Sequence, residues 1–360
     1  MTLLDIPARV GMSNLGKLTF VGLGLGPKGI SLEGMEALRS ADAVYLEYYT
    51  TPHEPTLLSD LEKLAGRRIT VVDRGFVEDG GEILRGARVK KVVLAVPGDP
   101  MVATTHTELR TRAINEGSET GIVHAATIGT AAASASGLHF YKFSRTVTIT
   151  RDAVDRLSQA YHMLHENLLE GSHTLLLLEH DLDSGEGVNP PTAAMGLVSA
   201  ERNFKRGVVG EVTFALVLSR LGRADQALWA GTFRELGGRE FGSPPHSIII
   251  PGKLHFTEVE AISAVFGVEK GAVRDNSEGV KRTAQTLVPK YVAKTKRALE
   301  AVRPTLGPQY APVLENVELY VKDAEDFLAN GEDEMAMLSI GYAEGLLDSM
   351  NFAGVARIDW

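Results

Sequence analysis

Residues 17–27 read KLTFVGLGLGP, a mostly apolar run that passes directly into a glycine-rich turn. A short apolar run that ends in a turn is typical of a buried strand. Ser31 follows at a position where its side chain can cap a helix, which we expect to continue to about Ser40. Glu33 places a negative charge in the first turn of that helix, where the helix dipole favours one. The stretch therefore predicts a strand, a tight turn and a helix, which together begin an α/β fold.

Strand-like runs and helical patterns alternate after this first unit. The predicted strands lie at residues 43–48, 68–72, 91–96, 121–125, 147–149, 174–179, 211–219 and 247–251. Helical patterns lie at residues 60–64, 105–116, 153–170 and 192–204. Alternation of this kind predicts an α/β fold with a largely parallel sheet. We expect an N-terminal extension at residues 1–16 and two α/β domains at residues 17–147 and 148–268.

The remaining residues, 269–360, show a different pattern. Strand signals stop, and apolar residues recur at helical spacing in residues 280–301, 310–328 and 335–350. We expect an all-α unit of three or four helices, and we expect Pro289 to kink or split the first of them.

Composition excludes several classes of protein. The chain has no cysteine, which rules out disulfides and thiolate zinc sites. Its net charge of −9 lacks the basic excess of a nucleic-acid binder, so we do not expect the main body to bind nucleic acid directly. No apolar run reaches the roughly 18 residues of a membrane span, and no basic leader followed by an apolar stretch is present. We expect a cytoplasmic protein that does not contact the membrane.

The histidines give no metal pattern. His162 and His165 lie three residues apart on a predicted helix, but no third ligand accompanies them at a clear spacing. We therefore expect no metal site.

Two glycine-containing turns follow predicted strands, at the edge where open α/β sheets bind ligands. The first, Gly22-Leu23-Gly24-Leu25-Gly26, departs from the dinucleotide-binding fingerprint because Pro27 occupies the place of the third glycine. The second, PGDPMVATTH at residues 97–106, carries Asp99. That carboxylate could accept hydrogen bonds from a ribose or an amino group, or it could simply cap a helix that begins near Val102.

Two further segments are candidates for a binding site. AATIGT at residues 125–130 follows a strand, and its small residues leave room for a ligand, although they would also suit helix packing. GSPPHS at residues 242–247 holds His246 behind two prolines, and His246 could equally be an ordinary loop histidine.

Taken together, these segments resemble the tetrapyrrole methylase superfamily and, within it, the diphthine synthases. The resemblance covers about residues 17–266. It rests on FVGLGL (20–25), YLEYYT (45–50), PGDPMVATTHTELR (97–110), GLHFYKF (137–143), HTLLLLE (173–179) and FGSPPHSIIIPGKLHFTEVE (241–260).

The resemblance implies two α/β domains with S-adenosyl-L-methionine folded into the cleft between them, in a homodimer. The implied substrate is a histidine of elongation factor 2 that carries a 3-amino-3-carboxypropyl group. Trimethylation of its amino group would give diphthine, a step of diphthamide biosynthesis, with S-adenosyl-L-homocysteine as the other product. The implied cofactor contacts are Leu25, Asp99, Val102, Thr127, Ile128, Leu178, Leu221 and His246.

The sequence departs from the family pattern in three segments. Pro27 and Lys28 continue the first turn. Glu179 replaces an expected aspartate, and Ser219-Arg220-Leu221-Gly222 replaces an expected Ala-Arg-Ala-Gly. The acceptor amine must lose a proton before it attacks a methyl group, and by position His106 and Glu47 are the candidates to assist.

The C-terminal unit resembles a small helical domain of unassigned function known from archaea, most clearly in SIGYAEGLLDSM at residues 339–350. The combination of domains indicates an archaeal source. The unit could dock a protein or an RNA, or it could be an appendage that packs on the main body or stabilises the dimer.

Two alternative functions remain open at this point. A precorrin or uroporphyrinogen methyltransferase would use the same chemistry on a tetrapyrrole, but the segments at residues 104–110, 137–143 and 241–256 favour the diphthine branch. A non-catalytic module that binds the cofactor and recruits partners is disfavoured by the intact glycine turn and Asp99 turn.

Overall fold

The computed structural model describes residues 16–26, 28–52, 56–151, 157–182, 185–358 and 360. The N-terminal extension apart from residue 16, Pro27 of the first turn, and the start of the helix expected near residue 153 lie outside the described residues. The chain forms two compact units. The first runs to Asn203 and resumes at Val209–Ser277, and the second comprises Phe204–Val208 and Glu278–Trp360.

The first unit extends beyond residue 268, where the sequence placed the end of the α/β part. Asn276 explains the difference. Its side chain accepts a hydrogen bond from the Phe214 amide (2.9 Å) and donates to the carbonyls of Phe214 (2.9 Å) and Pro251 (2.8 Å). This segment is therefore tied to strands of the α/β unit.

The first sheet is wholly parallel, as the sequence predicts. Its strands are β1 (Lys17–Gly22), β2 (Ala43–Glu47), β3 (Thr70–Val72), β4 (Lys91–Val96) and β5 (Glu119–Val123), in the order β3-β2-β4-β1-β5. The helices between them are α1 (Leu32–Ser40), α2 (Leu57–Ala65), α3 (Arg74–Asp79), α4 (Gly81–Ala87) and α5 (His106–Asn115). Ser31 caps α1 as predicted, since its hydroxyl accepts a hydrogen bond from the Gly34 amide at 3.0 Å.

The second sheet is mixed. Its strands are β6 (Val147–Ile149), β7 (Thr174–Leu178), β8 (Phe214–Ser219), β9 (Ala227–Thr232) and β10 (His246–Ile250), in the order β6-β7-β10-β8-β9. Only β6 and β7 pair in parallel, and the other pairs are antiparallel. The associated helices are α6 (Ile128–Ser136), α7 (Ser158–Leu169), α8 (Pro190–Phe204), α9 (Phe233–Leu236) and α10 (Phe256–Phe266).

The helix α6 connects the two sheets in the sequence, and it packs with the second one. Its Ala132 is fully buried in one apolar cluster with Leu216 and Ile249 of the second sheet. The start of α6, immediately after β5, therefore brings the carboxyl edge of the first sheet next to the second half of the unit.

The C-terminal unit contains three long helices, α11 (Thr283–Val302), α12 (Ala311–Asn330) and α13 (Asp333–Phe352). They share one apolar core that includes Val288, Val317 and Leu347, each completely buried. Of the kink or split expected at Pro289, the split is wrong, because α11 continues through the proline, and the kink stays a prediction. Val288 and Val292 face the core while Pro289 is exposed, so burial of the apolar stripe offsets the missing hydrogen bond.

No helix in the described part of the chain is long and apolar enough to cross a membrane. Within the same residues, no group of three or more histidine and acidic side chains is arranged to hold a metal ion.

Candidate functional site

A pocket of about 860 Å3 lies between the two sheets of the α/β unit, within the size range of small-molecule sites. The first half contributes the ends of β1, β2 and β4 together with the start of α6. The second half contributes the ends of β7 and β8 and the start of β10. All eight residues expected to contact a cofactor line this pocket: Leu25, Asp99, Val102, Thr127, Ile128, Leu178, Leu221 and His246. Their role as contacts stays a prediction.

The two glycine turns are bonded to each other at the floor of the pocket. The Gly24 amide donates to the Gly98 carbonyl at 3.2 Å, and the Gly98 amide donates to the Gly24 carbonyl at 2.9 Å. Gly22 allows this approach, because a Cβ at that position would lie only 2.7 Å from the Gly98 oxygen. The two segments that the sequence singled out separately therefore form one rigid feature.

The first turn also touches the second half of the unit. A Cβ added to Gly26 would lie 2.3 Å from the Gly222 carbonyl oxygen, and one added to Gly222 would lie 2.8 Å from the Leu25 Cβ. Gly222 in addition has a φ of +85°, which disfavours other residues. The two halves thus meet backbone to backbone beside Leu25 and Leu221.

Asp99 fastens the second turn to the end of β5. One oxygen accepts from the Met101 amide at 3.0 Å, and the other accepts from the Ala125 amide at 3.2 Å and contacts His124 Nδ1 at 2.8 Å. Burial alone would raise the pKa of Asp99, but these three donors hold it below its ordinary value. The helix-cap interpretation does not apply, since α5 begins at His106 rather than near Val102.

His246 lies on the opposite wall as a buried, neutral ring. Nδ1 is 2.9 Å from the Ser219 hydroxyl and Nε2 is 3.3 Å from the Gly242 carbonyl. A carbonyl only accepts, so Nε2 carries the proton and Nδ1 accepts from the hydroxyl. Burial lowers the pKa of His246 to about 4, with the Gly242 carbonyl opposing the shift.

Glu47 and His106 form a buried pair at the base of the pocket. Glu47 lines the pocket, whereas His106 does not and lies behind it. His106 Nδ1 is 2.9 Å from the Pro100 carbonyl, and Nε2 is 3.1 Å from Glu47 Oε2. The Thr50 hydroxyl donates to Glu47 Oε1. Both side chains are completely buried, so neither exchanges its partner for bulk water.

The contact with the Pro100 carbonyl determines how the His106 ring is oriented towards Glu47. The Pro100 carbonyl can only accept, so the proton of a neutral His106 ring belongs on Nδ1. Nε2 would then present a lone pair to the Glu47 carboxylate, and neither atom has another hydrogen-bond partner among the described residues. The 3.1 Å contact is attractive when a further proton lies between Nε2 and Oε2.

Sequence reasoning missed several polar residues of the pocket. Tyr49 and Arg74 lie at the end of β2 and the start of α3, and Arg151 lies just after β6. Tyr49 belongs to the family-like segment YLEYYT, but the sequence analysis singled out only Glu47 within that segment. Arg74 and Arg151 lie in no motif, and only the folded chain brings them to the same pocket.

Comparison with known proteins agrees with this architecture. The family described as Tetrapyrrole (Corrin/Porphyrin) Methylases matches residues 17–237, and a family described only as a protein of unknown function (DUF357) matches residues 290–356. The diphthine synthase of Methanocella arvoryzae is 37% identical over 258 residues, which are 71% of this chain and all of that protein. The diphthine synthase of Methanosarcina mazei is 38% identical, over 68% of this chain and 94% of its own.

A solved structure of a diphthine synthase superposes on the same part of the fold. Its TM-score is 0.63 at 31% identity, and the match covers 71% of this chain and all of that structure. The glycine turn, the Asp99 turn and their pocket thus lie in the α/β unit, the part of this chain that matches these relatives over nearly their full length. This chain belongs to the tetrapyrrole methylases and, within them, to the diphthine synthase family.

Proposed function

We propose that this protein methylates the amino group of a 3-amino-3-carboxypropyl histidine in elongation factor 2, using S-adenosyl-L-methionine, and so produces diphthine. The observation that carries the proposal is the single pocket lined by all eight expected contact residues from both halves of the α/β unit. Membership of the diphthine synthase family supports the choice of substrate.

The pocket fits a cofactor that combines a nucleoside with an amino acid. Gly98 and Gly129 line it, and a Cβ built on either would meet no heavy atom within 4 Å, so their backbone faces open space. Backbone groups there can bond a ligand without a side chain in the way. Leu25, Leu178 and Leu221 supply apolar walls for the uncharged parts of such a ligand.

When bound, S-adenosyl-L-methionine supplies an activated methyl group on a sulfonium. The protein then has to hold the acceptor in line and exclude water. The paired glycine turns and the hydrogen bonds of Asp99 keep the first wall rigid. On the second wall, the contacts of His246 with Ser219 and Gly242 fix the ring in one orientation.

Glu47 is the candidate for the group that receives the acceptor proton. It lines the pocket and lies at the end of β2, an interior strand of the first sheet, where Glu47 pairs with Val72 of β3. His106 acts through Glu47, because it contacts the carboxylate from behind and does not reach the pocket. We regard Glu47 as the proton acceptor and His106 as a positioning residue.

We further propose that the protein works as a homodimer in the cytoplasm. The family resemblance supports the dimer, and the lack of cysteine fits the cytoplasm. Light scattering of the purified protein would give the mass of the dimer, and a monomer at micromolar concentration would contradict this part.

The central test is a mass measurement on elongation factor 2. The purified protein and S-adenosyl-L-methionine are mixed with factor that carries the 3-amino-3-carboxypropyl histidine, and with unmodified factor as the control. We expect three methyl groups on that histidine and none on the control. Tight binding of the cofactor without any methyl transfer would overturn the proposed function.

A further inference from the structure

One end of the pocket carries an arginine that has no anionic partner among the residues that the structure describes. Arg74 is the first residue of α3 and is exposed, and its guanidinium carbon lies 5.6 Å from the centre of the Tyr49 ring. Both residues line the pocket. The distance is within the range of a cation–π contact, so the aromatic ring supports the guanidinium from one side.

The other arginines of the pocket are engaged differently. Arg151 pairs with Asp181 at 3.2 Å and with Glu186 at 2.8 Å, and Arg223 donates to the Pro52 carbonyl. Within the described residues, the Arg74 side chain makes neither an ion pair nor a hydrogen bond, and the Tyr49 ring is its contact. The five N–H groups of Arg74 therefore remain available to a ligand.

Opposite charges flank Tyr49 in this part of the pocket. Burial raises the pKa of Tyr49, the Glu47 carboxylate raises it further, Arg74 opposes the shift, and Glu78 and Asp73 add smaller upward contributions. The phenol is thus within electrostatic reach of all four groups. Of these charged groups, Glu47 and Arg74 line the pocket, whereas Asp73 and Glu78 do not.

We propose that Arg74 binds the carboxylate of the acceptor side chain, so that this end of the pocket recognises an amine and a carboxylate carried on the same carbon. The inference rests on the proposed function, whose acceptor has this α-amino acid character. The planar guanidinium suits a carboxylate, because two parallel N–H donors match its two oxygens. Since the amine and the carboxylate share one carbon, fixing the carboxylate also fixes the direction of the amine.

The experiment compares two acceptors with two proteins. The acceptors are elongation factor 2 with the 3-amino-3-carboxypropyl histidine and a semisynthetic factor in which that carboxylate is a carboxamide. The proteins are wild type and Arg74→Ala, with Arg85→Ala as the matched control, because Arg85 is also exposed but does not line the pocket. Initial rates give KM and kcat for each pair, and calorimetry gives the affinity for S-adenosyl-L-methionine.

We expect Arg74→Ala to raise KM for the carboxylate acceptor by roughly 10- to 100-fold, with kcat changed less and cofactor affinity unchanged. The wild type should show a similarly raised KM for the carboxamide acceptor, and Arg74→Ala should not raise the KM for that acceptor any further. In Arg74→Lys the KM should return part of the way to the wild-type value, because lysine restores the positive charge but not the two parallel N–H donors. Arg85→Ala should behave as wild type.

Three results would overturn the inference. The first is a wild-type KM in Arg74→Ala. The second is an equal rise in KM for the carboxylate and the carboxamide acceptor in Arg74→Ala. The third is a lower affinity of Arg74→Ala for S-adenosyl-L-methionine. Failure of the proposed function gives a different pattern, because the wild type itself would then methylate neither factor.

Discussion

Glu47 is the residue whose surroundings say most about the chemistry. Its two oxygens have different partners, the Thr50 hydroxyl on one side and His106 Nε2 on the other. A buried carboxylate is costly unless such partners compensate it. Because Glu47 also lines the pocket, the proposed role as proton acceptor can be tested directly by mutation.

Replacing Glu47 with glutamine should lower kcat for methyl transfer by about 100-fold or more, because glutamine cannot take up the proton of the acceptor amine. The rate should recover partly at higher pH, where more of the amine is already deprotonated. Initial rates between pH 6 and 9 test this. His106→Gln should give a smaller loss with a shifted pH profile, and a Glu47→Gln protein with wild-type kcat would remove Glu47 from the mechanism.

His246 should make the fold sensitive to mild acid. Its pKa is about 4 in the folded protein against 6.5 for an ordinary histidine. The unfolded state therefore binds more protons between these values, and stability should fall by up to about 3 kcal/mol as pH drops from 6.5 to 4. Urea unfolding at a series of pH values measures this. In His246→Gln the dependence on pH should become shallower, and an unchanged slope would assign the acid sensitivity to other groups.

At the scale of an element, α10 is fixed by the third residue of its first turn. Glu258 is completely buried and accepts from the amides of His139 (2.9 Å) and His255 (2.8 Å), from His173 Nε2 (2.9 Å) and from the Lys142 ammonium. Burial alone would raise the pKa of Glu258, but these donors lower it to about 2. One carboxylate thus joins α10 to the segment after α6 and to the start of β7.

Glu258→Gln should destabilise the α/β unit by about 3 kcal/mol, because the buried ammonium and amides lose a charged acceptor. Urea unfolding followed by the fluorescence of Trp229 tests this, in a Trp360→Phe background that leaves a single tryptophan. Glu260→Gln is the matched control on the same helix, since Glu260 only forms a surface pair with Lys270. Equal midpoints for the two variants would contradict this account of α10.

The helix α11 carries a local cost at Pro289, which burial of its apolar stripe offsets. An interior proline removes one backbone hydrogen bond and typically costs about 3 kcal/mol relative to alanine. Because Pro289 is exposed, Pro289→Ala should remove that cost without disturbing the core. We expect slower hydrogen exchange of α11 amides in the full-length variant. Exchange at the wild-type rate would mean that the helix has already adjusted around the proline.

For the whole molecule, the parts that were predictable are those with local signals. The alternation of apolar runs and helices predicts the parallel first sheet, and apolar residues at helical spacing predict three or four C-terminal helices, of which the structure has three long ones. The strand β9, with the sequence ALWAGT, was missed because small residues give it little apolar contrast. The helices α3 and α4 were missed because they are short and meet at Gly80, which reads as a turn.

The pocket likewise has parts with local sequence signals and parts without them. Its turns follow strands and carry glycine, proline and aspartate, so they were visible in the sequence. Arg74 follows a three-residue strand with no motif, and it reaches Tyr49 only because β2 and β3 are neighbours in the sheet. The contact of Gly26 with Gly222 joins positions far apart in the chain, which no local pattern predicts.

A chain that ends at Ser277 should keep methyl transfer to elongation factor 2. The Methanocella relative is matched over its whole length by 258 residues of this chain, whereas the C-terminal unit matches a separate family. We expect kcat within a few-fold of the full chain. A raised KM for the factor with unchanged kcat would assign a docking role to the helical unit. A truncated protein that is folded but inactive would contradict the prediction.

The order of strands in the first sheet also determines when each strand can pair while the ribosome is still making the chain. The earliest strand, β1, lies between β4 and β5, so its backbone has no partner in the sheet until Lys91–Val96 has been made. By contrast, β2 and β3 are adjacent in the sheet and can pair while β1 is still unpaired. At roughly 5–20 residues per second, the apolar run KLTFVG stays unpaired for several seconds of elongation. This segment is where a chaperone that follows the nascent chain would have most to protect.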